Sequence, residues 1–264
     1  MRFFDTNYLF KDFGGTITAS SNSQIAYMAF DEKTKFRWRT SSENTDGDSV
    51  YLEQELISPA TINRIFVTET NISNLTIEVD LGAGYVTLPS NTLTKSNDNY
   101  SYYYELESSQ TIEKIKFIGS NTIIANEEKY ITNALAFQEI GQIKYNDAVK
   151  PTIERMQVIN KLNNGRSDII NKGRQISFKI KFKSHYSTAD NEIIRQILNR
   201  DAEFWLWLND DQEDLIYMPQ EPYRFKDIYK VAFKGNHSMT FNDNIWFSGI
   251  DTDFSLIQVA WHWH

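Results

Sequence analysis

The sequence predicts an all-β protein built from two domains. Short segments in which every second residue is apolar recur along the chain, and turn-forming residues separate them. Aromatic residues make up 14% of the chain, which suits well-filled sheet cores. The patterns change around Asn146 and Pro151. We therefore expect one β-sandwich at residues 1–146 and a second, with one packed α-helix, at residues 147–264.

The first domain is expected to consist of short strands without a long helix. None of its longer stretches repeats apolar residues about every 3.6 positions. Several short strands joined by turns are typical of an antiparallel sandwich. The predicted strands cover residues 51–56, 62–67, 75–79, 100–106, 112–117 and 135–140.

The second domain is expected to combine strands with one helix. Apolar side chains alternate with polar ones at residues 176–182, which predicts a strand with one buried face. Residues 187–190 have the spacing of a capping box and precede apolar residues on one helical face, so a helix is predicted at about residues 189–200. Residues 204–208 are apolar throughout, which indicates a strand buried on both faces. Further strands are predicted at residues 153–159, 229–233 and 254–261.

Charge and composition exclude several functional classes. The net charge is −8, which argues against specific nucleic-acid binding because phosphate contacts need a basic face. The sequence contains no cysteine, so disulfides, thiolate metal sites and a cysteine nucleophile are excluded. No apolar run reaches the roughly 18 residues of a membrane span. The acidic, aromatic N-terminus lacks the pattern of a signal peptide, so we expect neither a membrane partner nor export by the usual route.

The acidic segment from Ser41 to Ser49 is a candidate metal site. Asn44, Asp46 and Asp48 offer oxygen ligands at alternate residues, and Ca²⁺ prefers oxygen ligands. However, the bidentate glutamate and the full spacing of an EF-hand loop are absent. Asp, Gly and Ser commonly form solvated turns. A plain turn without a cofactor is therefore the favoured interpretation, and calcium binding is the alternative.

Five short motifs follow one another along the first half of the chain. They are Ala19-Ser20-Ser21, Ala29-Phe30-Asp31, Trp38-Arg39-Thr40, Tyr51-Leu52-Glu53 and an Ile-x-x-Ile-x-Val strand at residues 62–67. In this order they resemble the discoidin, or coagulation-factor type C, module over about residues 15–142. The resemblance implies a galactose-binding-like jelly-roll sandwich whose loops at one end bind glycans or lipid head groups. Many extracellular members carry a cysteine pair that is absent here, which fits a relative that is not secreted.

Three consecutive residues are the candidate ligand-binding residues. Trp38 offers a stacking surface for a sugar ring, although a Trp at this family position is more often part of the core. Arg37 and Arg39 flank it on the opposite face of the strand, and a guanidinium can bind a carboxylate bidentately. Ordinary solvent exposure or a structural ion pair is the simpler interpretation of both arginines.

Motifs typical of catalysis are absent from the sequence. It contains no Gly-x-Ser-x-Gly elbow, phosphate-binding glycine loop or His-Glu-x-x-His pair. The carboxylates of residues 210–214 fit a hairpin tip. His262 and His264 have strand spacing but lack the further ligands of a structural metal site. We therefore predict that the protein is not an enzyme.

The second half has a recognisable order of elements: an amphipathic strand, a short helix, a buried aromatic strand, a polar hairpin and a further strand. Residues 174–178 resemble a strand of the ring-forming domain of bacteriophage tail-tube and distal tail proteins, and residues 220–224 take the place of that family's mid-domain connection. The resemblance covers residues 151–261. It implies self-association into a ring, with a hexamer as the expected form.

Two functional hypotheses follow. In the first, the protein is a non-catalytic component of a bacteriophage tail or baseplate, present in the virion and, during assembly, in the host bacterial cytoplasm. Its second domain would form the ring, and its first domain would dock another tail protein or bind a host-surface glycan. In the second hypothesis it is a free carbohydrate-binding protein, lectin-like or an accessory module. The missing signal peptide counts against the second.

Overall fold

The structure of the protein is a computed structural model with two β-rich units. Strands of the described residues form two eight-stranded sheets, which confirms the all-β prediction. No helix in this described part of the chain is long and apolar enough to cross a membrane. The structure describes residues 1–13, 15–32, 36–41, 45–88, 92–95, 100–143, 152–161, 167–185, 188–208, 228–234, 238–244 and 247–258.

The long continuous segment of the sandwich unit is Phe4–Glu139. Short 3-10 helices lie at Lys11–Phe13 and Ser23–Phe30. The strands in the first part of the chain are β1 (Arg2–Phe4), β2 (Thr16–Ala19), β3 (Trp38–Arg39), β4 (Val50–Thr70), β5 (Ile72–Asp80), β6 (Tyr85–Thr87), β7 (Thr92–Lys95), β8 (Tyr100–Thr122), β9 (Tyr130–Phe137) and β10 (Glu139–Gln142). The order in the sheet is β3-β9-β4-β8-β5-β6, with β2 paired to β4 and β7 paired to β8.

Strand β4 passes from one layer of the sandwich to the other. Its first part pairs with β2 and with the second half of β8, whereas its last part pairs with β9 and with the start of β8. The register shifts between Glu55 and Ala60, where Pro59 has no N–H to donate to a ladder. The two strands therefore bend together and close one end of the sandwich. The turn at Asn71 lies at the other end, because the next residue, Ile72, already pairs with the end of β8.

Both layers bury apolar side chains in a shared core. Leu52 and Phe117 come from one layer and Val67 from the other, and all three are at most 1% exposed. The hydroxyl of Tyr102 donates a hydrogen bond to the carbonyl of Ile72 at 2.7 Å. Buried tyrosines usually satisfy their hydroxyl groups in this way. The separate short strands predicted from the sequence are thus parts of two long, bent strands.

The second unit combines one sheet with one helix, and strands precede and follow the helix along the chain. Its sheet runs β10-β1-β13-β14-β16-β12-β11, and β15 pairs with β16. The helix predicted at about residues 189–200 is present. The elements are β11 (Thr152–Lys161), β12 (Ser167–His185), α1 (Thr188–Leu198), β13 (Phe204–Trp207), β14 (Ile228–Phe233), β15 (Ser238–Asn244) and β16 (Phe247–Gln258).

Strand β12 shows the alternation that the sequence predicts. Ile176, Phe178 and Ile180 are buried, whereas Lys179 and Lys181 are exposed. Successive side chains of a strand point to opposite faces, so the apolar set faces the core of this unit and the lysines face away from it. All four residues of β13 are buried, as predicted for a strand covered on both faces.

Helix α1 packs closely on its own unit. Ile194, Ile197 and Leu198 are at most 4% exposed and belong to the same apolar cluster as β12. On β10, a Cβ added to Gly141 would lie 2.4 Å from the Cδ1 atom of Ile193. Glycine therefore allows the helix to approach the strand, and any side chain there would displace Ile193.

The first strand of the chain belongs to the second unit. Met1–Phe3 group with the residues that follow Ile140. The amide of Ile143 donates to the carbonyl of Met1 at 3.0 Å, and within the sandwich unit the amide of Asp5 donates to the carbonyl of Gln138 at 3.1 Å. In the first part of the chain the contacts thus divide the units after residue 3 and after residue 139, whereas the sequence predicts one boundary after residue 146.

Candidate binding site at one end of the sandwich

A polar depression of about 350 Å³ lies at the end of the sandwich where the Asn71 turn is found. Two guanidinium groups, two carboxylates, one amide and one phenol contribute to it. Its lining residues are Arg37, Arg39, Asn71, Glu127, Glu128 and Tyr130. The volume falls at the lower end of the range for small-molecule sites, which is about 300–1,000 Å³.

Strand pairing brings these side chains together. Strand β3 pairs with the start of β9, so that Arg39 lies opposite Tyr130. Asn121 and Asn126 have φ values of 56° and 62°, and asparagine adopts the left-handed region more readily than most residues. The chain therefore turns tightly before Glu127 and presents residues 127–130 beside β3.

Arg37 stacks on Tyr130. Its guanidinium carbon lies 4.5 Å from the ring centre, which is within the range of a cation–π contact. Burial raises the pKa of the Tyr130 hydroxyl, and the charge of Arg37 acts in the opposite direction. The Arg37 guanidinium carries five N–H donors. This pair therefore gives the depression a cationic wall.

Arg39 and Glu128 form an exposed ion pair. Nη1 of Arg39 lies 3.6 Å from Oε2 of Glu128, and the two side chains are 51% and 46% exposed. Exposed pairs of this kind contribute about 0–1 kcal/mol to stability. A ligand can therefore exchange hydrogen bonds with both groups at small cost.

Asn71 is buried and anchors the floor of the depression. Its Nδ2 donates to the carbonyl of Glu128 at 2.7 Å, and its Oδ1 accepts from the amide of Tyr130 at 2.9 Å. Its own carbonyl accepts from the amide of Ile123 at 3.0 Å. One side chain thus fixes the backbone on both sides of Lys129.

Trp38 does not line this depression. It is 1% exposed, belongs to the core cluster, and donates its indole N–H to the carbonyl of Ser21 at 2.9 Å. The sugar-stacking role considered for Trp38 is therefore wrong, because no face of the ring is accessible. Its two neighbours, Arg37 and Arg39, are exposed and face the depression as candidate ligand residues.

The calcium site considered for the acidic segment stays a prediction. Asn44 lies outside the described residues. Oδ1 of Asp46 accepts hydrogen bonds from the amide and hydroxyl of Thr122 and from the amide of Asn126, at 3.2, 2.9 and 3.0 Å. The described residues contain no group of three or more His, Asp or Glu side chains suited to a metal ion. Oδ1 of Asp46 is thus engaged by N–H and O–H donors, and Asp48 is exposed.

Several other predicted features lie outside the described residues. They include the acidic hairpin at residues 210–214, the connection at residues 220–224, and the histidines His237, His262 and His264. His185 ends strand β12. The metal-binding alternative for the terminal histidines stays a prediction.

Four residues of the depression were missed by the sequence analysis: Asn71, Glu127, Glu128 and Tyr130. Only strand pairing and the turn before residue 127 bring them to Arg37 and Arg39. One local signal was available. The segment Asn126-Glu127-Glu128 is a polar turn directly before an apolar strand, and such turns often carry binding residues.

Known structures that resemble the protein match about half of its chain. Chitosan-binding module 1 of a chitosanase/glucanase from Paenibacillus sp. IK-5 is 21% identical, with 50% of this chain and 98% of that chain covered and a TM-score of 0.40. The family 32 CBM of NanJ from Clostridium perfringens, in complex with galactose, is 16% identical, with 52% and 100% covered and a TM-score of 0.42. Reduced XRCC1 bound to the DNA polymerase β catalytic domain is 13% identical, with 46% and 93% covered and a TM-score of 0.38.

No protein-family model matches the sequence, and no curated protein matches it.

Proposed function

We propose that the protein is a non-catalytic carbohydrate-binding protein and that the polar depression of the sandwich unit is its binding site. The observation that carries this proposal is the convergence of two arginines and two glutamates on one depression of about 350 Å³. This is the second hypothesis of the sequence analysis, now attached to a particular group of residues.

The chemistry of the lining suits hydroxyl groups. Arginine only donates hydrogen bonds and an ionised glutamate only accepts them, whereas a hydroxyl does both. A sugar bearing neighbouring hydroxyls can therefore satisfy Arg39 and Glu128 together. The Arg37–Tyr130 stack, with 4.5 Å between guanidinium carbon and ring centre, adds a planar wall beside them. Hydrogen bonds to charged groups contribute about 1.5–3 kcal/mol each.

The test is a glycan array probed with the full-length protein, followed by calorimetry on the glycans that bind. We expect Arg37→Ala and Glu128→Ala each to weaken binding by roughly tenfold or more, since each removes hydrogen bonds to a charged group. Arg200→Ala and Glu113→Ala serve as matched controls, because neither residue lines the depression. They are expected to leave affinity unchanged.

A wild-type protein that binds no glycan on the array would overturn this proposal. Binding that survives both Arg37→Ala and Glu128→Ala would overturn the site. In that case the protein binds sugar elsewhere, and the depression has another role.

A structural role in a bacteriophage tail is the second candidate. It is supported by the order β12, α1, β13 in the second unit, which is the strand–helix–strand order for which the second half resembles ring-forming tail domains. In this role the protein would be part of the virion, with itself and other tail or baseplate proteins as partners. The sandwich unit would then carry its sugar-binding depression on a ring.

Electron microscopy of the purified protein tests the ring. Hexameric particles would support the tail role. A strictly monomeric protein at high concentration, by sedimentation and by microscopy, would contradict it. Neither result changes the outcome of the glycan-binding test.

A further inference from the structure

The segment from Asn126 to Tyr130 carries half of the lining of the depression. Glu127, Glu128 and Tyr130 all belong to it. Glu127 and Glu128 are exposed side chains on a turn, and a turn of this kind is mobile unless other residues fix its backbone. The residues that hold this segment therefore determine where the two carboxylates lie.

Asp46 holds the N-terminal side of the segment. Its Oδ1 accepts from the amide of Asn126 at 3.0 Å and from the hydroxyl of Thr122 at 2.9 Å. In return, the amide of Asp46 donates to Oδ1 of Asn126 at 3.1 Å. The carbonyl of Asp46 accepts from the amide of Asn121 at 3.1 Å. This one residue thus fixes both left-handed asparagines of the turn.

Lys129 holds the other side. Its amide donates to Oγ1 of Thr40 at 3.0 Å, and its carbonyl accepts from the amide of Thr40 at 2.9 Å. The ammonium group of Lys129 donates to the carbonyl of Thr45 at 3.0 Å. Thr45 directly precedes Asp46, so the two anchors share one stretch of chain. Glu127 and Glu128 lie between the two anchored residues, Asn126 and Lys129.

We propose that Asp46 is a positioning residue of the binding site. It is absent from the lining of the depression, so it acts on the ligand only through the backbone of residues 126–130. This inference rests on the proposed carbohydrate-binding function. Sites whose groups are already held in place lose less conformational freedom on binding, and affinity depends on that difference.

Charge on Asp46 strengthens the anchor. Hydrogen bonds from N–H and O–H donors to a carboxylate are roughly twice as strong as those between neutral groups. The amide of Asn126 is the main cause that lowers the pKa of the Asp46 carboxyl, so the ionised form is the one these donors favour. An asparagine at position 46 would keep an acceptor oxygen and lose the charge.

The experiment compares Asp46→Ala, Asp46→Asn and the control Asp48→Ala in the full-length protein. Asp48 is exposed and lies on the same stretch of chain, so its replacement controls for loss of charge. Amide hydrogen exchange of residues 122–130 measures the anchor directly. A panel of methyl glycosides of the common hexoses, titrated by NMR, measures binding.

For Asp46→Ala we expect amide exchange of Asn126 and its neighbours to speed up, and glycoside affinity to fall on the order of tenfold. Asp46→Asn should lie between Asp46→Ala and wild type and also covers the case in which Asp46→Ala fails to fold. Asp48→Ala should match wild type in both measurements. Unchanged exchange in Asp46→Ala would overturn the inference, as would faster exchange with unchanged affinity.

The failure of the proposed function gives a different pattern. If the wild type binds no glycoside of the panel and no glycan of the array, the binding proposal fails. Asp46 is then not a positioning residue of a binding site. The exchange data would then still show whether the turn is anchored.

Discussion

The guanidinium carbon of Arg37 lies 4.5 Å from the centre of the Tyr130 ring. Arg37 precedes β3, and Tyr130 begins β9, the strand that pairs with it. The contact therefore joins an irregular segment to the sheet at the edge of the depression. Because the charge of Arg37 lowers the pKa of the Tyr130 hydroxyl, the contact can be measured in solution.

Replacing Arg37 with Ala is expected to raise the pKa of Tyr130 further. Burial already raises it, and the positive charge of Arg37 opposes that effect, so removing the charge leaves burial less compensated. NMR titration of tyrosine labelled at the Cζ carbon measures the shift. Arg37→Lys keeps the charge and should stay closer to wild type. An unchanged Tyr130 pKa in Arg37→Ala would show that the two groups are not in contact.

Replacing Trp38 with Phe is expected to lower stability without weakening glycan binding. The ring is 1% exposed, and its indole N–H donates to the carbonyl of Ser21. The substitution removes that bond and leaves a buried acceptor unpaired, which costs about 1–3 kcal/mol. Urea denaturation measures the loss, and calorimetry measures affinity. A loss of affinity at unchanged stability would restore Trp38 as a ligand residue.

Replacing Arg64 with Met is expected to destabilise the sandwich unit by about 3–5 kcal/mol, because it removes the Arg64 guanidinium from its largely buried pair with Glu139. Nη2 of Arg64 lies 2.7 Å from Glu105 and also pairs with Glu139, and the Arg64 side chain is 10% exposed. The measurement is the free energy of unfolding of the sandwich unit, obtained by urea denaturation.

Lys114→Met is the matched control for Arg64. Lys114 pairs with Glu55 at 3.2 Å, and these side chains are 31% and 49% exposed. Solvent screens this pair, so little change in stability is expected. Equal losses in the two variants would mean that Arg64 is no better shielded from solvent than Lys114.

The stability of the protein is expected to depend on Asp46 in acid. The hydrogen bond from the amide of Asn126 is the main cause that holds the pKa of Asp46 below its usual value of 3.8. Because the folded-state pKa is the lower one, the ionised group stabilises the fold above the unfolded-state pKa. That contribution is lost as the pH falls through the folded-state value.

Denaturation of wild type and Asp46→Asn over a range of pH tests this dependence. The difference in unfolding free energy between the two proteins should be largest at neutral pH and should shrink once the pH is below 3.8. A difference that stays constant across the range would show that Asp46 keeps its ordinary pKa in the folded protein.

Local pattern was sufficient to predict the regular elements. The alternation in β12 and the apolar face of α1 each lie within one short stretch of chain, and burial of Phe178 and Ile197 follows directly from them. The bends were harder to predict. Residues 51–56 and 62–67 were expected to be two strands because Pro59 lies between them, yet pairing with β8 continues on both sides of the bend.

Contacts between distant parts of the chain could not be predicted from local pattern. Arg2–Phe4 is too short to show a period, and its partners β10 and β13 lie far along the sequence. The depression depends in the same way on pairing between Arg39 and Tyr130. Arg37 and Arg39 were identified because they flank a motif, whereas Asn71 had no local pattern to distinguish it.

The position of β1 has a consequence for how such a chain can evolve. Residues 4–139 of the sandwich unit lie between two segments of the other unit, and near their ends the amide of Asp5 donates to the carbonyl of Gln138. Joining two neighbouring ends by a short link costs little chain entropy. We therefore expect residues 4–139 to behave as an exchangeable cassette. A single recombination event could replace it, and with it the proposed glycan-binding depression, while Arg2 and Phe3 of β1 and residues 140–142 of β10 stay in the host sheet.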